Sequence, residues 1–394
     1  MKILFLANRI PYPPYRGDKL KIFNLARRLA KKHELYLVTF TQSPAEAVYK
    51  KDLERIFKEV HLVYLPKWKS AMNCLSAGWD QTPLQVMYFR SAEMQALLNN
   101  VLSRHRFDAV HIQHLRMSPY LAERQDIPRI LDLPDAFSLY WERRKKIKRG
   151  LARKSFESLE QKRVLKYEQI MKKYDMSLVC SAEDMEYLKK LHHLDNIRLL
   201  PNGVDLDTFY PRDHDYSHNK TLLFTGNMDY APNVDAVVYF SQEILPTIRG
   251  KFPQARCVLA GQRPVSKVLE LANDHVVITG FVEDIAEVYN SASIVVAPLR
   301  FGAGTQNKVL EAMAMGIPVV CSNIGFKGLG INSGEGAIMQ TEPRAFAESV
   351  VQLLSSEDER RKVGQKGIEV IKNNFGWDAI ADTLAGYLEE VARK

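Results

Sequence analysis

The stretch 297–316, APLRFGAGTQNKVLEAMAMG, decides how the rest of the chain is read. An apolar strand-like run, SIVVAP (293–298), ends at a proline and gives way to a Gly-Ala-Gly loop. A run of strong helix formers then continues to Gly316, and Pro318 forbids it from going further. Gly302 and Gly304 have no Cβ, so a ligand can approach the backbone and the chain can turn through φ > 0. Thr305 is the expected N-cap. The first amides of such a helix lack internal partners and lie at the positive end of its dipole, which makes an anion site with phosphate as the commonest occupant. Lys308 and Glu311, three residues apart, share a face of the first turns, where a cation meets phosphate and a carboxylate accepts from sugar hydroxyls. The same residues also fit an ordinary surface ion pair on a capped helix.

Strand, loop and helix alternate on both sides of this stretch. KILFLAN (2–8) and ELYLVTF (34–40) bracket a helical pattern in which Ile22, Leu25, Ala26 and Leu29 recur on one face. VHLVYL (60–65), AVHI (109–112), RILDL (129–133) and SLVCS (177–181) follow at helical separations. TLLFTG (221–226), ARCVLAG (255–261), HVVITG (275–280), SIVVAP and IPVVCS (317–322) make a second series. Strands alternating with helices specify parallel sheets, and two series specify an α/β chain of two Rossmann-like domains. LLPNGVDLDTFYP (199–211), rich in turn formers, reads as the linker. The expected division is residues 1–200, residues 201–376, and a C-terminal helix over 377–394 that carries Trp377, Ile380, Leu384 and Leu388 on one side and returns toward the first domain.

A chain of 394 residues, 46% hydrophobic and 26% charged, has the composition of a soluble two-domain protein. No apolar run reaches the roughly 18 residues of a membrane span. The N-terminus, MKILFLANRIPYPP, suits a first strand and not a signal peptide. Cys74, Cys180, Cys257 and Cys321 are scattered, with no CxxC, and read as reduced core residues of a cytoplasmic protein. The net charge of +9 is unevenly spread: residues 1–200 hold 37 Lys and Arg against 22 Asp and Glu, and the remainder 18 against 24. The basic half is the one to face an anionic partner.

Taken in order, RGDKLKIFNLARRLA, PNGVDLDTFYP, LLFTGNM, the long run from VVITGFVEDI to MAMGIPVV, and the helix after NNFGW resemble the retaining GT-B glycosyltransferases of family 4 over essentially the whole chain. The subgroup this set resembles is that of sugar transferases from bacterial exopolysaccharide loci. The resemblance implies two Rossmann-like domains facing a cleft, a nucleotide-diphosphate sugar as donor, a glycan or lipid-linked acceptor, and neither a metal nor a cofactor. It places the diphosphate at the helix opened by Gly304, with Gly302, Thr305, Gln306 and Asn307 around it. Lys308 is implied on the diphosphate, Glu311 on the ribose, and the loop from Gly280 to Val282 at the base. Asn202, Gly226 and Asn227 join the donor-binding set. Gly17 approaches the phosphate from the first domain, and Gly17, Asp18 and His114 are the catalytic candidates.

The departures from that pattern are specific. The family's pair of glutamates seven residues apart has Ala303 in its first position, so a side-chain acceptor for the donor sugar is missing and backbone amides must substitute. Relatives carry Arg and Lys after the first strand of the second domain, where TGNMDYAPN offers the uncharged Asn227 and Asn233. Phosphate charge then falls on Lys308, joined by Arg263 or Arg300. In DAVHIQH (108–114) the family's His-x-His becomes His111, Gln113, His114, and either His114 or Gln113 takes the sugar contact. Asp132 and Asp135 are candidate acceptor-side acids, Asp135 being equally a turn residue. DLD (205–207) mimics a metal-binding Asp-x-Asp within the linker, and in RGD (16–18) Asp18 reads as a helix cap.

WERRKKIKRGLARK (141–154) holds eight Lys or Arg. It reads either as a solvated helix face or as a peripheral dock for an anionic inner leaflet. The rival functions are a nucleotide-sugar epimerase or phosphorylase on the same architecture, and a polyanion- or RNA-binding protein. Against the second, no nucleic-acid motif occurs and no aromatics interleave the basic run.

Overall fold

The computed structural model describes residues 1–15, 17–76, 81–147, 151–212, 216 and 220–393. The chain divides into two compact units, Met1–Pro201 with Trp377–Lys394, and Asn202–Gly376. The first holds a seven-stranded parallel sheet of β1 (Lys2–Ala7), β2 (Glu34–Thr41), β3 (Glu59–Tyr64), β4 (Ala109–Gln113), β5 (Arg129–Leu133), β6 (Met176–Val179) and β7 (Ile197–Leu199), in the order 3-2-1-4-5-6-7. The second holds β8 (Thr221–Thr225), β9 (Arg256–Ala260), β10 (Val276–Gly280), β11 (Ile294–Ala297), β12 (Val319–Cys321) and β13 (Ala337–Met339), in the order 10-9-8-11-12-13. All pairings between these strands are parallel. Both units are therefore Rossmann-like, and each has a switch point, between β1 and β4 and between β8 and β11, where ligands bind at the strands' carboxyl ends. The sequence pattern did not single out β7 and β13, three-residue strands at sheet edges that carry too few apolar residues to make a run.

Two segments sit differently from the sequence reading. The 199–211 stretch is not a free linker: the division falls after Pro201, and Val204, Leu206 and Phe209 pack into the core of the second unit. The Val204 amide donates to the Phe375 carbonyl at 2.7 Å, so entry to and exit from that unit are stitched side by side. The helix Trp377–Ala392 belongs to the first unit, where Trp377, Ile380, Leu384, Leu388 and Val391 join one core with Ile22, Leu25 and Leu29 of the helix Gly17–Leu29. Arg28 Nε meets Asp378 Oδ1 at 3.1 Å on the rim of that contact.

Three of the eight basic residues of the run are absorbed by the fold. In the helix Phe137–Lys145, Arg143 pairs with Glu183 at 2.6 Å and Arg144 with Glu157 at 2.8 Å, each with a side chain only 14% exposed. Lys145 donates to Gln161 at 2.7 Å. These three are neither a solvated face nor a free dock, because the buried carboxylate of Glu157 requires a partner. Lys148 and Arg149 lie outside the described residues, as does Arg16 of the RGD triplet.

The returning helix should carry real stability. Leu384→Ala removes a fully buried side chain and is expected to cost about 2–5 kcal/mol, measured by urea unfolding, with nucleotide binding retained at low denaturant.

Candidate functional site

In the second unit, the carboxyl ends of β8, β9 and β10 are finished by three glycines at positive φ: Gly226 (148°), Gly261 (154°) and Gly280 (70°). They sit against one another. The Gly226 amide donates to the Ala260 carbonyl and that of Gly261 to the Gly280 carbonyl, both at 3.0 Å. A Cβ on Gly261 would lie 1.8 Å from the Gly226 carbonyl oxygen, so this crossing admits no side chain. Around Gly280 the space is open.

Across the switch point, the loop after β11 turns through Gly302 (φ 145°) and Gly304 (φ 73°) and enters the helix Asn307–Ala314. The cap differs from the sequence reading: Gln306, not Thr305, is the N-cap, and no side chain hydrogen-bonds the helix start. Extended backbone at Gln306 moves the boundary one residue on. The first-turn amides are thus left for something other than a capping side chain. Asn202 Nδ2 donates to Asn307 Oδ1 at 3.1 Å and so joins the helix start. At the far end Gly316 takes φ 76°, the left-handed stop.

Lys308 is the centre of this arrangement. It is 8% exposed, its Nζ donates to Asn233 Oδ1 at 3.2 Å, and it stands 5.0 Å from the centroid of the Phe224 ring. Burial lowers its pKa to about 8, and the nearby Glu311 opposes the shift. Asn233 is itself held by Nδ2 donating to the Asn227 carbonyl at 3.0 Å, and Asn227 Oδ1 accepts from Gln262 at 2.8 Å. Glu311 accepts from the Tyr289 hydroxyl at 2.8 Å; burial raises its pKa, and the Tyr289 hydrogen bond and the Lys308 charge hold it down. Tyr289 also meets Thr225 Oγ1 at 2.6 Å. Tyr289, Phe224 and Gln262 escaped the sequence reading, since each lies far along the chain and only the switch point brings it to the helix. Of the other two cations, Arg263 is exposed and 3.7 Å from Asp229, and Arg300 is paired with Asp235 at 2.6 and 2.8 Å over the Tyr239 ring. Val282 is half-buried beside the exposed Phe281, on the open side of Gly280.

In the first unit the polar residues sort into a closed network and an edge. Asp132 is buried between Lys21 Nζ at 2.8 Å and His111 Nε2 at 3.2 Å, and Lys21 also donates to the Leu200 carbonyl at 3.1 Å. Asp132 and His111 are therefore internal and unsuited to an acceptor. Asp18 is not the cap of the first helix but its second residue, with Arg9 3.4 Å away. Gln113 Nε2 donates to the Asp18 carbonyl at 2.6 Å, fixing the helix entry that begins at Gly17. His114 sits at φ 81° after β4, its ring 4.8 Å from that of Phe137 and its Nδ1 accepting from the Arg116 amide. Burial holds its pKa well below 6.5, so the neutral ring carries its proton on Nε2. Asp135, half-buried after β5, has a pKa pushed up to about 8 by burial and by Asp184. The ligand atoms of Asp135, Cys180 and Asp184 lie within 4.8 Å of one another. Cys74, Cys180, Cys257 and Cys321 form no disulfide.

Two family models match the chain, "Glycosyltransferase Family 4" over residues 22–208 and "Glycosyl transferases group 1" over residues 219–356. The chain is 22% identical to an uncharacterized protein of the cps region of Klebsiella pneumoniae, over 95% of this chain and 96% of that one. It is 26% identical to a phosphatidyl-myo-inositol mannosyltransferase of Mycobacterium tuberculosis, over 49% of this chain and 54% of that one. Among solved structures it superposes on a sucrose-phosphate synthase from Thermosynechococcus elongatus with a TM-score of 0.76 at 17% identity, covering 99% of both chains. Anabaena HepE in complex with UDP-glucose gives a TM-score of 0.69 at 15% identity, covering 99% of this chain and 100% of that one.

The pKa of Lys308 falls from an ordinary 10.5 to about 8 on folding, so the unfolded chain holds this proton more tightly. Folding stability therefore rises as pH climbs from about 8 toward 10.5. Urea unfolding of the wild type and of Lys308→Met should show that rise as a difference between the two, present across this window and absent below it.

Proposed function

Since the chain belongs to the glycosyltransferases of family 4 and carries their GT-B fold, we propose that it is a retaining, metal-independent enzyme that moves a sugar from a nucleotide-diphosphate donor to a glycan or lipid-linked acceptor in bacterial exopolysaccharide synthesis. One observation carries the donor part: a buried ammonium, Lys308, held by a neutral amide oxygen at the start of a helix with no side-chain cap. An ammonium kept out of water beside a helix start that has no side-chain cap is poised for an anion, and a diphosphate supplies the charge that burial withholds. The UDP-glucose bound by Anabaena HepE supports a nucleotide sugar as that anion. The cps-region relative supports a surface-polysaccharide role, and the phosphatidyl-myo-inositol named for the mycobacterial one supports a lipid-borne acceptor at a membrane surface.

In this reading the leaving nucleotide diphosphate gains negative charge as the anomeric bond breaks. Lys308 and the amides of Gly304 to Asn307 stabilise it without reorganising. Glu311, fixed by Tyr289, takes the ribose hydroxyls. Gly280 and Val282, with Phe281 beside them, serve the base. His114 offers its Nε2–H to a sugar oxygen, and Asp135 a carboxyl to an acceptor hydroxyl. With Ala303 in place of a carboxylate, backbone amides orient the donor sugar, and the acceptor hydroxyl attacks from the face the diphosphate leaves.

Lys308→Ala should lose about 1.5–3 kcal/mol of diphosphate binding, a ten- to hundredfold weaker Kd. The wild-type affinity should fall as pH rises above about 8, because the ammonium of the free enzyme then deprotonates. Calorimetry from neutral to alkaline pH reads both, and unchanged nucleotide binding in the variant would sink the assignment. Chelation should leave transfer intact.

Gly304→Val puts a β-branched side chain at φ 73° where the phosphate approaches. Turnover should collapse while circular dichroism stays native, whereas Ala303→Glu should fold, bind donor and shift donor preference. A folded Gly304→Val protein with near-normal transfer would place the donor elsewhere. NMR of the product identifies transfer with retention, and free sugar interconversion without acceptor would mark an epimerase instead.

A further inference from the structure

The outer faces of two helices in the first unit combine apolar and basic residues with no exposed acid. On Lys67–Leu75, Trp68, Met72 and Leu75 fall at i, i+4 and i+7 and are 69%, 59% and 75% exposed, flanked by Lys67 and Lys69. On Leu151–Tyr167, Phe156 and Leu159 are 47% and 48% exposed, with Lys154 and Lys162 exposed beside them. The acids of the second helix, Glu157 and Glu160, are 1% and 2% exposed and point inward to Arg144 and Arg163. The first helix has none.

The two helices flank one segment. The Leu84 amide donates to Glu160 at 3.0 Å, Cys74 Sγ lies 3.6 Å from the Leu84 carbonyl, and Lys166 donates to Gln81 at 3.2 Å. Five large exposed apolar side chains thus lie on two helices tied to the same short segment, 81–84, of the basic unit. Lys67, Lys69, Lys154 and Lys162 enter no ion pair among the described residues. No helix among the described residues is long and apolar enough to cross a membrane.

We propose that this pair of helix faces is a docking surface for an anionic lipid bilayer, with Trp68, Met72, Leu75, Phe156 and Leu159 entering the headgroup boundary and the lysines meeting lipid phosphate. Charge selects the occupant. Protein interfaces are depleted of lysine, whose hydrated ammonium resists burial against a partner. A bilayer surface combines apolar insertion with anions that the ammonium groups reach while still wet, and Trp is favoured at that boundary. Of the basic run 141–154, Lys154 belongs to this surface, whereas Arg143 and Arg144 do not, being spent on Glu183 and Glu157. It rests on the membrane-facing part of the function proposed above and is independent of the donor site.

The test is flotation of the full chain with phosphatidylcholine vesicles containing about one third phosphatidylglycerol, and with neutral phosphatidylcholine vesicles, at low and high salt. The wild type should float with the anionic vesicles at low salt only. The triple variant Trp68→Gln, Met72→Gln, Leu75→Gln and, separately, Lys67→Gln, Lys69→Gln, Lys154→Gln, Lys162→Gln should each lose roughly tenfold or more in vesicle partitioning. Both should keep native circular dichroism and wild-type nucleotide binding, since none of these residues lies in the donor site. Wild-type protein that ignores anionic vesicles, or variants that float as it does, would overturn the proposal. So would a concentration-dependent dimer in sedimentation that the apolar triple variant abolishes, which would give the face to a second copy. Docking without sugar transfer from any donor would leave this surface standing and remove the proposed function. Transfer to a soluble acceptor analogue without docking would do the reverse.

Discussion

An ammonium 8% exposed, with amide oxygens in place of a carboxylate as its hydrogen-bond partners, organises the second unit. A buried cation is tolerated only where fixed dipoles surround it, and the chain builds that surround from three separate strand ends. Asn233 reaches Lys308 because Gly226 has no Cβ to block it: one placed there would lie 2.5 Å from Asn233 Nδ2. Gly226 in turn fits only because Gly261 crosses it bare, and Gly261 is held by the Gly280 carbonyl. The glycines, the amide side chains and the uncapped helix are thus one device, which leaves an ammonium at the switch point whose hydrogen-bond partners are neutral and whose nearest carboxylate, Glu311, is held by Tyr289. The missing arginine and lysine after β8 fit the same picture, since a second cation there would repel Lys308.

The first unit solves the same problem in the opposite way. Lys21 is buried as deeply but is given a full carboxylate, Asp132, which His111 also contacts. That charge is closed internally, and its work is to tie the first helix to β4, β5 and the Leu200 carbonyl. What remains at the strand ends includes a histidine stripped of its charge by burial, and an aspartate whose proton affinity is raised by burial and by a neighbouring acid. A surface of hydrogen-bond donors and acceptors with little net charge suits sugar hydroxyls. The excess positive charge of this half is displaced to the outside, where Glu157 and Glu160 face inward and the lysines outward.

Much of this was legible in the sequence, for identifiable reasons. SIVVAP became β11 (Ile294–Ala297), because a strand buried on both faces is a continuous apolar run. The stop at Gly316 and the turns at Gly302 and Gly304 were readable because backbone conformations at positive φ leave few choices of residue. Lys308 and Glu311 were found by their spacing within one helix. Strands β7 and β13 were not, being too short to show a period.

Local pattern therefore fixed the elements, their parallel alternation and the glycine loop that enters the helix Asn307–Ala314, since those depend on neighbours within a few residues. Only the tertiary structure decided which charges are used up. Arg143, Arg144 and Arg300 look free in the sequence and are committed to Glu183, Glu157 and Asp235. His111 and His114 both follow from one short motif, and the tertiary structure locks the first to Asp132 and leaves the second just beyond the carboxyl end of β4. An ion pair or a burial cost depends on distances between segments far apart in the chain, and those distances exist only once the sheets have formed.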